Sequence, residues 1–488
     1  MADKDERMEK ECTCLFCNQK FKVKDIVFQI VLSEEQADPK LFDQKYYDHI
    51  IRYKDIAPED RYRLSVDWTT PGVDVEVKWD ENGLPRWVRG EVKYPEEYDQ
   101  VGNTSFFDSL FAGHDMENTV VQQGKKIIAE SAVRVCPHCH MTIIDGFCTD
   151  DEQSKMKLIR VGLLGGMRTG KTTYLVVVSK FLEEHFSGNG DHDVHLGTVK
   201  FVPECKEFID YLYKNGIHAT TVDHQREAGL EDPRVLPILM RITPHDRDYS
   251  PFLLMLQDIP GEYMKDELKD AMMLTQSRIS ESTDLLMLVD SNHFVETRQK
   301  KPGGETENYG AYCTTPEVSK LFANYEALGE ELDKNYLSSI QIALSKADFL
   351  VEADKRLEAT MFSYSGDKEH RKAISEKRLK QVDRQVRDVL GSSEKGGFGK
   401  GDLINEITTK LKLRPEQEKS LYTAYTAVAS KYVPGNTEHF EKNGEDVHVE
   451  YSQNVIEPLL NVFLSHHLLP VKKEQYKIKG KPKEETKG

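Results

Sequence analysis

Apolar residues in this chain occur in short runs separated by polar and glycine-containing stretches. Runs of this length, bounded by turn residues, are typical of buried β-strands. They lie at Ile159–Leu164, Val235–Ile242, Phe252–Leu256, Leu285–Val289, Ile340–Leu344 and Leu421–Val428. Segments with apolar residues suited to helices lie at Leu175–Phe186, Tyr263–Ile279, Pro316–Asp333, Ile374–Leu390 and Asn454–Leu464. Strands that alternate with helices predict an α/β domain over about 157–469.

The segment 62–92 has a different pattern, in which apolar and polar residues alternate. It predicts half-buried strands that form a small antiparallel sheet, with a turn at Asn82-Gly83. Trp68, Trp79 and Trp87 all lie here. If exposed they would form a docking surface, but filling the core of a small sheet is the simpler interpretation. By contrast, 191–232 is mixed and mostly polar.

Composition limits the classes of protein to consider. A chain of 488 residues, 38% hydrophobic and 31% charged, is long enough for two to four globular domains. No apolar run approaches the length of a membrane span, and the charged N-terminus has no signal-peptide core, so we expect a cytoplasmic protein with reduced thiols. The net charge of -17 disfavours general nucleic-acid binding. The lysine-rich segment 470–488 is expected to be disordered.

Four of the eight cysteines form two C-x-x-C pairs, Cys14 with Cys17 and Cys136 with Cys139. In a reducing compartment, paired C-x-x-C motifs favour structural zinc over a disulfide. The pairs are far apart along the chain, so we predict a zinc-ribbon-like module over 1–150 with a β-rich domain inserted at about 20–130. Four thiolates are the simplest ligand set, but Cys12, His138, His140 and Cys148 lie close by in sequence. The alternative is that the cysteines are unrelated.

The segment Leu158–Leu175 reads LIRVGLLGGMRTGKTTYL and matches the P-loop pattern G-x-x-x-x-G-K-[ST]. Glycines at such a turn let successive backbone N–H groups point at phosphate oxygens, and the following helix adds its N-terminal dipole. Lys171 is expected to neutralise the β- and γ-phosphates, and Thr172 to hold Mg²⁺. The alternative is a glycine-rich turn between a strand and a helix. The candidate phosphate-binding residues are Gly165, Gly166, Met167, Arg168, Thr169, Gly170, Lys171, Thr172 and Thr173.

Two further motifs follow buried strands. Asp258 and Gly261 form a D-x-x-G motif, in which the carboxylate is placed to hold Mg²⁺ and the glycine N–H to meet the γ-phosphate. Thr220 and Thr221 lie in the polar segment before these strands, and the resemblance described below would make one of them, Thr221 in the first place, the switch threonine. After the run that ends at Leu344, the chain reads Ser345-Lys346-Ala347-Asp348. The Asp348 carboxylate can accept two hydrogen bonds from guanine, the Lys346 stem can cover the base, and the Ser430 backbone N–H is a weaker candidate for the base carbonyl.

The order of these motifs resembles the translation-factor-related class of P-loop GTPases. The paired C-x-x-C motifs and the form of the switch segment are similar to the bacterial double-GTPase family, which is associated with conflict and defence gene clusters. The resemblance implies a mostly parallel sheet flanked by helices, Mg²⁺-dependent GTP hydrolysis and a protein partner such as an effector or a second GTPase. Gly165 to Thr172 would bind phosphates and Mg²⁺, Asp258 and Gly261 would form the second switch, and Lys346 and Asp348 would select guanine.

Two residues depart from the family pattern. Ser345 stands where the family has Asn or Thr, which weakens a brace of the base loop and keeps a P-loop ATPase as an alternative. Glu262 stands where many relatives have a Gln that orients the attacking water, so it could act as a base or leave hydrolysis slow. The second alternative is therefore a nucleotide-loaded scaffold that hardly turns over and docks partners through the zinc-containing module.

Overall fold

A computed structural model describes the chain in ranges that are separated by gaps. The described residues are 6–17, 19–32, 43, 45–46, 63–69, 73–80, 83–95, 124–144, 156–165, 169–183, 197–215, 236–259, 282–291, 337–347, 376–390, 405, 419–428 and 454–469. The chain divides into two compact units. The first comprises 1–160, 200–242 and 251–258, and the second comprises 161–199, 243–250 and 259–488.

The N-terminal part of the first unit is built from short antiparallel strands. These are β1 (Glu11–Thr13), β2 (Lys20–Lys22), β3 (Val27–Val31), β4 (Arg63–Asp67), β5 (Val73–Trp79), β6 (Pro85–Pro95), β7 (Gly124–Ala129) and β8 (Val133–Val135). They form the ribbon β1-β2 and two three-stranded sheets in the orders β4-β3-β8 and β5-β6-β7. All the described pairings within them are antiparallel.

The predicted strands are present, but they do not share one sheet. β4 pairs with β3, whereas β5 pairs with β6 across the turn that contains Gly83. Residues of both sheets, among them Phe28, Leu64 and Trp87, form one apolar core. The predicted alternation of burial is present in β5 but wrong for β4, in which successive residues are buried. The Trp87 ring is buried and its Nε1 donates to the Ala129 carbonyl at 3.0 Å, so its predicted core role is confirmed.

A seven-stranded sheet has the strand order β10-β11-β12-β9-β13-β14-β15. Its strands are β9 (Lys157–Leu164), β10 (Gly197–Phe201), β11 (Ile238–Pro244), β12 (Phe252–Asp258), β13 (Asp284–Asp290), β14 (Ser339–Ser345) and β15 (Tyr422–Ala427). β13 is parallel to β9 and β14, and β14 is parallel to β15, while β11 and β12 are antiparallel. The fold is therefore mixed α/β with a mostly parallel sheet, as predicted. Strands such as β12 and β14 are buried along their whole length, which suits a sheet covered on both faces.

The longer described helices are α1 (Lys171–Phe181), α2 (Pro203–Asn215), α3 (Glu376–Leu390) and α4 (Glu457–Ser465). In α3 the buried residues Leu379, Val382 and Val386 recur at helical spacing, so that prediction is confirmed. None of the helices within the described ranges is long and apolar enough to cross a membrane. The helices predicted at 263–279 and 316–333 and the segment 470–488 lie outside the described residues.

The segment 191–232, which the sequence marks only as mostly polar, contains β10 and α2. Apolar residues of α2, including Phe208 and Leu212, are buried, while most of its other residues are polar or charged. A helix with one apolar stripe and a charged remainder has a polar average composition. The polar average composition of this segment therefore gave no indication of the amphipathic helix α2.

Candidate functional site

Four cysteines from two distant parts of the chain come together in the first unit. The Sγ atoms of Cys14, Cys17, Cys136 and Cys139 all lie within 4.8 Å of one another. Cys14 Sγ is 3.6 Å from Cys139 Sγ, and Cys17 Sγ is 3.8 Å from Cys136 Sγ. In a tetrahedral site with zinc–sulfur bonds of about 2.3 Å, the sulfur atoms are about 3.8 Å apart. The cluster therefore has the dimensions of a four-cysteine site and could hold a metal ion such as zinc.

Each C-x-x-C pair lies on a tight turn that directs backbone N–H groups at sulfur. The Phe16 N–H donates to Cys14 Sγ and the His138 N–H donates to Cys136 Sγ, both at 3.4 Å. The Cys136 N–H also donates to the Met141 carbonyl at 3.0 Å, which closes the second turn. Hydrogen bonds to the sulfur atoms stabilise thiolates and orient them as ligands.

The four thiols do not ionise independently. Hydrogen bonding to Cys136 lowers the pKa of Cys17, and hydrogen bonding to Cys139 lowers the pKa of Cys136. The pKa values of Cys14 and Cys139 are raised, mainly through hydrogen bonding to Cys136. Like charges at these distances repel, so full ionisation of the cluster requires a cation among the sulfur atoms.

The neighbouring histidines have other partners. His138 Nε2 lies 3.2 Å from the Lys20 carbonyl oxygen. His140 Nδ1 lies 2.7 Å from Asp43 Oδ1, and both side chains are buried. Although burial raises the pKa of Asp43, the hydrogen bond from His140 and further donors outweigh it and hold that pKa below its usual value. Asp43 therefore fixes the ring that directly follows Cys139, a role that no sequence motif indicated.

The expectation that the cysteines are reduced is wrong for Cys12. This cysteine forms a disulfide, while the other described cysteines are free. A disulfide sulfur is not a thiolate, and the thiolate is the form that ligates metals. Cys12 is therefore not a ligand in this state. Cys148, the other candidate nearby in sequence, lies outside the described residues.

A buried carboxyl group joins the second cysteine turn to α2. Glu204 Oε1 accepts from Thr142 Oγ1 at 2.5 Å and from the Thr142 N–H at 3.3 Å. Within the described part of the chain, Glu204 Oε2 has no hydrogen-bond partner. Burial raises the pKa of Glu204 above its ordinary value. The sequence offered no signal for this contact, because Glu204 lies in the segment that appeared merely polar.

The second unit contains the predicted phosphate loop, between β9 and α1. Gly165 has φ 152°, and a Cβ atom there would lie 2.6 Å from the Leu288 carbonyl oxygen and 2.7 Å from Thr169 Oγ1. Gly170 has φ 86° and is the N-cap of α1. The Lys171 side chain is buried and its Nζ donates to the Gly165 carbonyl at 2.8 Å. The loop thus has glycine where backbone geometry requires it and a lysine folded back across it.

Other predicted phosphate and magnesium residues are only partly described. Thr172 and Thr173 lie in the first turn of α1 and are half-buried. Asp258 is the last residue of β12 and is buried. The next residue, Ile259, donates its N–H to the Leu163 carbonyl of β9 at 3.2 Å. The predicted residues Gly166, Met167, Arg168, Thr221, Gly261 and Glu262 lie outside the described residues.

The predicted base loop follows β14. Ser345 is the last residue of that strand, and its Oγ donates to the Val289 carbonyl at 3.3 Å. Lys346 Nζ lies 2.6 Å from Asp290 Oδ2. Asp348 and Ser430, the other predicted base contacts, lie outside the described residues.

The chain matches no protein-family model, and no curated protein matches it.

Proposed function

We propose that this chain is a switch protein that binds GTP and hydrolyses it in a Mg²⁺-dependent reaction. The observation that carries the proposal is the buried Lys171, whose Nζ lies 2.8 Å from the Gly165 carbonyl oxygen across the β9–α1 loop. A lysine ammonium held against a glycine-rich turn at a helix N-terminus provides positive charge and backbone donors together. This combination suits a polyphosphate.

The sheet supports the same proposal. β9 lies between β12 and β13, and the chain forms β10, β11 and β12 on one side before it crosses to β13 and β14 on the other. In open α/β sheets, ligands bind at the carboxyl ends of strands where the strand order reverses in this way. The loop after β9 and Lys346 after β14 follow carboxyl ends, and Asp258 is the last residue of β12.

The proposed reaction is in-line attack of water on the γ-phosphate. Lys171 and the loop N–H groups would stabilise the charge that develops on the bridging oxygen between the β- and γ-phosphates. Thr172 and Asp258 would hold the Mg²⁺ ion, and Glu262 would act on the attacking water. Loss of the γ-phosphate would release Gly261 and Thr221, so that the switch segments change conformation and a protein partner dissociates.

The cysteine cluster completes the proposal as a structural zinc site. It has no open ligand position, because four sulfur atoms already satisfy tetrahedral zinc. Its role would be to join the two ends of the inserted β domain.

Replacement of Lys171 tests the nucleotide site. We expect Lys171→Ala to lose GTP binding by calorimetry while its thermal melting is retained, since the triphosphate would lose its main cation. Lys180→Ala is the matched control, because Lys180 lies on the same helix and contacts Glu183 at 3.1 Å. Unchanged GTP affinity in Lys171→Ala would refute the assignment of the phosphate loop. If the wild type bound ATP more tightly than GTP, the proposed nucleotide would be ATP. Phosphate release, measured with and without a partner, separates a GTPase from a scaffold.

A further inference from the structure

An ion pair joins the ends of two neighbouring strands in the second unit. β13 and β14 run parallel with Asp290 opposite Ser345, and Lys346 is the next residue. Lys346 Nζ lies 2.6 Å from Asp290 Oδ2, with 37% of the lysine side chain and 14% of the aspartate side chain exposed. The aspartate is therefore mostly enclosed, and the lysine stem runs from the strand end to this carboxylate.

The backbone at this point is held in an unusual conformation. Lys346 has φ 55°, in the left-handed region that residues other than glycine rarely adopt. The next residue, Ala347, donates its N–H to the Val428 carbonyl at 3.1 Å, and Ser345 Oγ donates to the Val289 carbonyl at 3.3 Å. A strained residue persists where surrounding contacts determine its position, and such residues cluster at functional sites. The turn is thus anchored to both neighbouring strands.

We propose that Asp290 is a positioning residue for nucleotide binding, which acts by fixing the Lys346 side chain at the end of β14, where its stem would pack against a bound base. The inference rests on the GTP-binding function proposed above. Ser345 is too short to brace this loop as an Asn side chain could, and its hydroxyl is used on the neighbouring strand. The Asp290–Lys346 ion pair restricts the lysine side chain instead. A lysine stem that is held at both ends loses little further conformational entropy when a base packs against it.

The expected effect follows from the flexibility of lysine. A free lysine side chain has several rotatable bonds, and ordering it on binding weakens affinity roughly 5- to 30-fold. Asp290→Asn removes the charge that holds the ammonium and keeps the side-chain size. We therefore expect GTP affinity to fall by about this factor in Asp290→Asn, and ATP affinity to fall similarly, because the lysine stem would pack against either base.

A double-mutant cycle on the full-length protein tests this inference. Competition of GTP and ATP against a fluorescent GTP analogue would be measured for wild type, Asp290→Asn, Lys346→Met and the double variant. Met keeps an unbranched apolar stem without the charge. If Asp290 acts through Lys346, the double variant loses no more GTP affinity than Lys346→Met alone. Asp290→Glu, which retains the carboxylate, should recover most of the GTP affinity.

The outcomes distinguish this inference from the proposed function. Glu376→Gln, which removes the exposed ion pair with Lys380 on α3, is the control and should leave both affinities unchanged. Additive losses of GTP affinity in the double variant, or a wild-type GTP affinity in Asp290→Asn, would overturn the role of Asp290 while leaving GTP binding intact. Absence of GTP binding in the wild type would instead overturn the proposed function.

Discussion

Removal of the metal from the cysteine cluster should unfold or loosen the first unit. The perturbation is the double variant Cys14→Ser/Cys136→Ser, which takes one ligand from each C-x-x-C pair. Purified without chelators, the wild type should contain about one zinc ion per chain, since structural zinc sites are closed four-ligand sites. The variant should contain much less, because a serine hydroxyl does not replace a thiolate ligand.

The size of the effect follows from the chain length that the metal closes. Cys14 and Cys139 are 125 residues apart in sequence. A cross-link across a loop of this length removes denatured-state entropy worth about 5 kcal/mol. For a unit of this size, about 5 kcal/mol corresponds to a fall in melting temperature of roughly 10–20 °C. The same fall is expected when the wild type is treated with a chelator.

Elemental analysis and calorimetry measure the two quantities directly. Cys205→Ala is the matched control, because Cys205 is a buried free cysteine outside the cluster and its loss should leave the zinc content unchanged. Wild-type protein without zinc would refute the metal site. Full zinc occupancy in the double variant would refute the assignment of these ligands.

Three other predictions address different parts of the molecule. Gly165→Ala should destabilise the second unit by about 1–3 kcal/mol and weaken nucleotide binding, because the new Cβ would lie 2.6 Å from the Leu288 carbonyl oxygen; melting and calorimetry measure both. Asp348→Asn should move the preference from GTP towards XTP, since the amide offers a donor where xanthine has a carbonyl; competition with ATP, GTP and XTP measures it. Glu204→Gln should raise the melting temperature at pH 8 and have less effect towards pH 5, because the pKa of Glu204 is raised above 4.5 and its stabilising contribution falls as pH rises through the raised pKa.

Each of these predictions has an outcome that would contradict it. A Gly165→Ala protein with wild-type stability would mean that the loop relaxes without strain. Equal affinity of wild type for ATP and GTP, unchanged in Asp348→Asn, would make the segment after β14 an ordinary turn and favour the ATPase alternative. A difference between Glu204→Gln and wild type that stays constant with pH would mean that the Thr142 contact, and not the buried charge, determines the effect.

The strands and the motifs could be predicted because each depends on neighbours in sequence. The apolar runs that became β12, β13 and β14 are recognisable from their length and apolar content. The loop glycines could be predicted as well, since a tight turn between a strand and a helix requires them locally. The helix α2 was not predicted, because its apolar residues lie within the mostly polar segment 191–232.

The contacts between distant segments could not be predicted in the same way. The paired C-x-x-C motifs predicted that Cys14 and Cys139 meet, and their sulfur atoms lie 3.6 Å apart, but nothing near Lys346 indicates its ion pair with Asp290. The spacing of residues in a motif can identify candidates for such contacts. The distance between two candidates depends on strand order, register and the packing of side chains from remote parts of the chain. Glu204 shows this most clearly, since its burial against Thr142 arises from the packing of α2 and not from any motif. Local periodicity thus accounts for the elements, whereas long-range packing determines which side chains meet.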